Sequence, residues 1–459
     1  MGERITLSAW IYLTIGLITI ADAFIAIPSS AALSSLLIAV FIILQFQAIP
    51  RPQQIAGAVL LLIGIAGAAI SGQWWEVLVL GTAKSRTFLL LFFAISWLQF
   101  PVGSSPAMRA ARGAIMNQPA GRRFLSLSAG VHVLGSILNV AGLGLLTPVV
   151  ETQSDPVLRK RLALSLMHGF TAASCWSPFY IGMIVVLSVL PGVRWIDLAP
   201  AGAGMAVLLI AVFWLYDRTF LAGAEAVAPE PGGPAEPGAA AAARMLLRTV
   251  AILALLIGLV LGAIQILGTT VAVALGIVGA PFAMVWLAAI EQRPAARMVG
   301  TLAFMRRVIG LFPTLRNEAL VFVAANVFGA GIAAMVPAGD LSQTLNAILP
   351  WPDAKIAALI FLFPICGLLG MHPVIVVIFV SSVLPPELMG LPEWMVGVIY
   401  LGVWGTSTMV SPFSGTALFM ARATGTPPQT IAWRWTPPSV FVSIAATALY
   451  IIALRHLVL

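Results

Sequence analysis

Small hydroxyls gather around two copies of one tripeptide in this chain. Ser177-Pro178-Phe179 and Ser411-Pro412-Phe413 lie 234 residues apart, and Thr171, Ser174, Thr406, Ser407, Thr408, Ser414 and Thr416 crowd about them. A proline within an apolar run removes a backbone donor and breaks the helix. The broken ends present amides with partial positive charge and carbonyls with partial negative charge. Hydroxyls beside such ends can hold an anion or a cation without formal charge. Two further interruptions, Gly135-Ser136-Ile137-Leu138-Asn139 and Gly370-Met371-His372-Pro373, share the offset, since adding 234 to Asn139 gives Pro373 beside His372. The candidate substrate ligands are therefore Ser136, Asn139, Ser174, Ser177, His372, Ser407, Thr408, Ser411 and Ser414, with Pro178, Pro373 and Pro412 as helix breaks. A single Ser or Thr in an apolar helix most often bonds the preceding turn or permits close packing. It is the concentration at both breaks that points to a site.

Titratable chemistry is sparse. Of the histidines, His372 at a predicted tip is the first candidate for proton or ion coupling and His168, ahead of the first break, the second; an intramembrane ionisable group is a functional candidate by default. Cys175 and Cys366 lack metal-ligand spacing. No HExxH, Gly-x-Ser-x-Gly or phosphate loop is present, so no catalytic residue, metal or cofactor is assigned, the chain is read as no enzyme, and the coupling ion, H+ or Na+, stays open.

The elements that position these residues follow from composition. In 459 residues, 60% are hydrophobic and 9% charged, against roughly a quarter charged in soluble domains. With about 20 apolar residues per crossing, the chain reads as an all-α polytopic membrane protein of about eleven transmembrane helices plus two re-entrant hairpins. Spans fall near 7–27, 31–47, 54–71, a short 87–100, 200–216, 245–267, 268–290, 317–339 and 438–457; the interrupted stretches are 124–150, 160–190, 355–384 and 394–422. A Pro/Gly/Ala-rich segment, 221–244, reads as a cytoplasmic linker between a first repeat, 1–220, and a second, 245–459. Each repeat holds scaffold spans (1–100; 245–339) followed by a hairpin and a broken helix (124–216; 355–459).

The net charge of +8 does not imply nucleic acid, because the basic residues sit in short loops between apolar runs. With the amino terminus in the cytoplasm and both hairpins returning to their side of entry, 19 of the 24 basic residues fall on the cytoplasmic side and the carboxyl terminus on the other. The loop before the first hairpin is basic and that before the second acidic, which makes the repeats inverted. Breaks at matching places in inverted repeats are the sequence mark of a transporter's binding site. Of the acids only Asp22 falls inside a predicted span, so no buried carboxylate is expected beside the hairpins and broken helices.

Two inverted repeats, each with a re-entrant hairpin and a helix broken in mid-membrane, resemble the ion transporter superfamily, which includes divalent-anion/sodium symporters and citrate and arsenite permeases. Where those symporters carry Ser-Asn-Thr at each tip, this chain has Ser136-Ile137-Leu138-Asn139 and Gly370-Met371-His372-Pro373. The resemblance implies a homodimeric elevator, with 101–123 and 291–316 as in-plane connector arms. The expectation is a secondary active transporter for a small anion, an organic carboxylate foremost, in a bacterial-type inner membrane. The alternatives are a proton-coupled or export permease for another solute or oxyanion, and, further off, a lipid carrier.

Overall fold

Away from water every backbone N–H and C=O must find a partner inside the protein, and a helix supplies these bonds segment by segment. The computed structural model describes residues 5–104, 120–221, 239–290, 294–335, 344, 346–384 and 386–458, and all regular structure among them is helical. The first half contains α1 (Leu7–Asp22), α2 (Ser30–Gln45), α3 (Arg51–Ser71), α4 (Arg86–Ser104), α5 (Ala120–Leu138), α6 (Val140–Leu146), α7 (Pro156–Ala173), α8 (Ile181–Val189) and α9 (Trp195–Tyr216). The second contains α10 (Ala239–Leu267), α11 (Val271–Ile290), α12 (Pro294–Leu311), α13 (Arg316–Met335), α14 (Pro352–Leu368), α15 (Pro373–Val383), α16 (Glu393–Val410), α17 (Gly415–Thr424) and α18 (Pro437–Val458). Eight helical stretches among the described residues are long and apolar enough to cross a membrane, the pattern of an all-α polytopic membrane protein.

Two spans differ from the sequence reading. The stretch at 87–100, too short as read, is the end of a continuous helical run, Trp75–Pro101, because a π turn at Trp75–Leu80 and the turn Gly81–Lys84 carry the helix into α4. The first span stops at Asp22, whose carboxylate accepts from the Ile27 N–H and pairs with Arg86 at 2.6 Å. Residues 222–238 of the expected linker, together with 105–119 and 291–293 of the expected connector arms, lie outside the described residues.

The chain divides into two compact units. One comprises residues 1–105, 252–341 and 378–384. In it α3 and α13 run side by side in parallel, Gly57, Gly64 and Gly67 facing Leu320, Val327 and Gly331. A Cβ on Gly64 would stand 2.6 Å from the Val327 carbonyl oxygen, so the approach depends on glycine. The other unit comprises residues 106–251, 342–377 and 385–459 and contains all four interruptions. Its two interrupted helices are encased: every residue from Arg161 to Ala173 and from Met395 to Val410 is buried.

The basic triplet at the start of α7 holds that unit together at one end. Successive helical residues point about 100° apart, and the three side chains reach three neighbours. Arg159 donates to the Gln153 and Thr424 carbonyls at 2.8 and 3.4 Å, the latter at the negative end of α17. Lys160 lies 5.9 Å from the centre of the Trp435 ring. Arg161 makes a bidentate pair with Asp217, both contacts 2.6 Å, and the two residues are 4% and 0% exposed. The expectation of no buried carboxylate beside the hairpins and broken helices therefore fails at Asp217. Removing one partner strands a buried charge, so D217N is expected to lower stability by about 3–5 kcal/mol, whereas R161M/D217L recovers most of it. Thermal melts in detergent measure both; equal losses in the two variants would show that packing, not the stranded charge, sets the cost.

Candidate functional site

The first hairpin turns at Asn139, whose φ of +56° lies in a region that few residues except Gly, Asn and Asp enter. The returning arm comes so close that a Cβ on Gly142 would stand 2.5 Å from the Leu134 carbonyl oxygen. At this tip Ser136 back-bonds to the Val133 carbonyl at 2.9 Å. Two bonds then fasten the tip to the first break. Asn139 Nδ2 donates to the Phe179 carbonyl at 3.0 Å, and Ser177 Oγ donates to the Ser136 carbonyl while accepting from the Phe179 N–H.

The broken helices α7 and α16 cross at residues related by the 234 offset. Thr171 Oγ1 donates to the Gly405 carbonyl at 3.4 Å, and Ser174 Oγ lies 2.8 and 3.1 Å from the Thr171 and Leu401 carbonyls. A Cβ at 405 would stand 2.6 Å from the Thr171 carbonyl oxygen, so the crossing requires glycine. Ser407 Oγ donates to Phe363 on α14 at 2.9 Å, and Thr408 back-bonds to Gly405 at 2.7 Å.

At the second break Pro412 cannot give the Thr408 carbonyl its i+4 donor. Ser414 supplies it: its Oγ donates to the Thr408 carbonyl at 2.5 Å and accepts from the Ala417 N–H at 3.1 Å, capping α17 as it closes α16. Thr436 Oγ1 serves the next carbonyl, Met409, at 3.0 Å. Sequence reasoning missed Thr436; its one signal is the position ahead of Pro437-Pro438, where the chain must turn back.

The second hairpin tip is built differently from the first. Gly370, at φ +87°, ends α14 in a Schellman turn closed by Met371 N–H to the Cys366 carbonyl at 2.9 Å. His372 then caps α15, Nδ1 accepting the Val374 N–H at 3.2 Å and its carbonyl accepting the Ile375 N–H at 2.9 Å. This cap assigns the ring proton to Nε2. Pro373 has no N–H, so the first amides of α15 are engaged or absent. Trp404 meets the His372 ring edge-on, centroids 6.0 Å apart. His168 stands apart from both tips, its Nε2 2.9 Å from Ser439 Oγ and its ring stacked on Phe213 at 3.9 Å.

Among the candidate hydroxyls one remains free. Ser411 is 1% exposed and its Oγ has no hydrogen-bond partner. Four and five residues on, the N–H groups of Gly415 and Thr416, the first two of α17, have no backbone or side-chain acceptor among the described residues. Open space lies where a Gly415 side chain would be, and neighbouring Phe413 is exposed, its ring against Gly370. Ser177, the offset partner of Ser411, is fully engaged. The second break thus keeps a hydroxyl and two amides at a positive helix end, a combination suited to an anionic oxygen.

No protein-family model and no curated protein matches the chain. Among solved structures its fold is similar to that of the Alcanivorax borkumensis YdaH transporter, whose crystal structure reveals an unusual topology: 16% identity, covering 80% of this chain and 85% of that one, TM-score 0.53. Neisseria gonorrhoeae MtrF, from a structure that illuminates a class of antimetabolite efflux pumps, matches at 10% identity over 78% and 80% of the two chains, TM-score 0.48. At these identities the first likeness is one of fold.

The bonding pattern separates the two serines experimentally. S177A leaves the Ser136 carbonyl and the Phe179 amide without partners and is expected to cost about 1–3 kcal/mol, read as a lower melting temperature in detergent. S411A removes a buried hydroxyl that bonds nothing and is expected to melt no lower than wild type.

Proposed function

We propose that this protein is a secondary active transporter for a small anion, an organic carboxylate foremost, bound at the second break. The observation that carries this reading is the buried, unpartnered Ser411 Oγ in the break that leads into α17, whose first two amides are also open. Support also comes from the encasement of both broken helices, since irregular backbone at membrane depth is tolerated only inside protein or beside a wet cavity. A protein of similar fold, YdaH, is a transporter. On this reading the chain is an inverted repeat of the ion-transporter type in a bacterial inner membrane, amino terminus inside. The unit holding the hairpins and broken helices carries the substrate as an elevator within a homodimer.

The test is uptake of radiolabelled mono-, di- and tricarboxylates into proteoliposomes, with thermal shifts of purified protein for binding. Losing one donor to a charged group weakens binding about 10- to 100-fold. S411A is therefore expected to lose the carboxylate-induced thermal shift and uptake while keeping its unliganded melting temperature. Undiminished uptake by S411A would remove the site from the second break.

One geometric fact favours proton coupling as a second reading. A proton on His372 Nδ1 would expel the Val374 N–H from its cap and so alter the hairpin tip. Asparagine caps helices well and does not titrate. H372N is expected to retain stability but to lose uptake driven by an imposed pH gradient; gradient-driven uptake persisting in H372N argues for another coupling ion.

A further inference from the structure

A cavity outside the candidate site has the make-up of a lipid pocket. It lies within the first unit, where the ends of α4 and α11 meet α12, and has a volume of about 380 Å³. Its walls are Phe100, Leu287, Ile290 and Phe304, with Ser104 and Arg307 among the polar lining. Phe304 packs its ring 5.7 Å from Phe100 and 5.8 Å from Trp97, which makes that wall rigid and apolar. The Arg307 guanidinium is held 4.7 Å from the centre of the Phe100 ring, the residue is exposed, and no described carboxylate pairs with it. A small hydrophilic anion gains nothing from the walls, and a neutral hydrocarbon gains nothing from the guanidinium. The two together match an acyl chain joined to a phosphate. Arg307 belongs to the arginine-rich stretch of 293–316, where the sequence places the cytoplasmic boundary, and basic pockets at that boundary are suited to anionic head groups.

We infer that this cavity binds one anionic phospholipid, acyl chain along the wall formed by Phe304, Leu287 and Ile290 and phosphate on Arg307, independently of what the protein transports. The test is native mass spectrometry of the purified protein with added dioleoyl phosphatidylglycerol or dioleoyl phosphatidylcholine. Wild type is expected to retain one phosphatidylglycerol in preference to phosphatidylcholine. R307Q is expected to bind it roughly fivefold more weakly, the effect of one basic residue near an anionic surface. A303W, which fills the cavity, is expected to retain none, and R306Q, on the adjacent exposed arginine, to behave as wild type. R307Q changes an exposed side chain and gives a reading even if A303W fails to fold. Equal retention of the two lipids, or equal losses in R306Q and R307Q, overturns the inference and leaves the groove to annular lipid or detergent.

Discussion

A backbone group that loses its helical partner at membrane depth has no water to turn to, and this constraint organises the unit that holds the interruptions. Pro178 and Pro412 each delete an N–H that the carbonyl four residues earlier would have used. At the second break the deficit is met locally, Ser414 Oγ taking the Thr408 carbonyl and Thr436 Oγ1 the Met409 carbonyl. At the first, the Ser177 hydroxyl and the Asn139 amide join the break to the hairpin tip. A hydroxyl suits this work because it donates and accepts through one atom. Each engaged Ser or Thr lets the chain be irregular without a stranded polar group, worth several kcal/mol in hydrocarbon.

Satisfaction is unequal between the halves, and the inequality carries the functional reading. Ser177 and Ser411 occupy corresponding places in the two tripeptides, yet the first closes a network and the second bonds nothing. The counterpart of Ser136, which receives the Ser177 hydroxyl, is Gly370, and against Gly370 lies the Phe413 ring. One break is thus a fastening and the other an opening. A buried hydroxyl left empty is a standing cost in the unliganded protein, and a ligand oxygen that fills it recovers that cost on binding.

The breaks were legible in the sequence because proline and glycine mark them directly, and the hydroxyl cluster was legible as a cluster. Which hydroxyl bonds which carbonyl was not, since Ser407 finds Phe363 and Ser174 finds Leu401 only after distant segments pack. Nor was the role of His372 as a helix cap, which depends on a Schellman turn setting the direction of α15. Asp217 was missed for a plainer reason. It follows directly on an apolar run and precedes Arg218, the pattern of a span ending in water, and only the packing of α7 brings Arg161 to it and buries both.

The scarcity of charge acquires a physical reason in this arrangement. The Arg161–Asp217 pair neutralises itself at the head of α7, far along that helix from the break at Ser174–Phe179. Around the second break the unpartnered groups are a hydroxyl and two amides at a helix end, all dipoles. A fixed cation there would hold an anion through a large Coulomb term that grows as water is excluded. Dipoles give a shallower well, deep enough to select an anionic oxygen and shallow enough to release it. On the proposed function, serine and backbone at this position, where arginine would bind more tightly, suit a site that must let its ligand go.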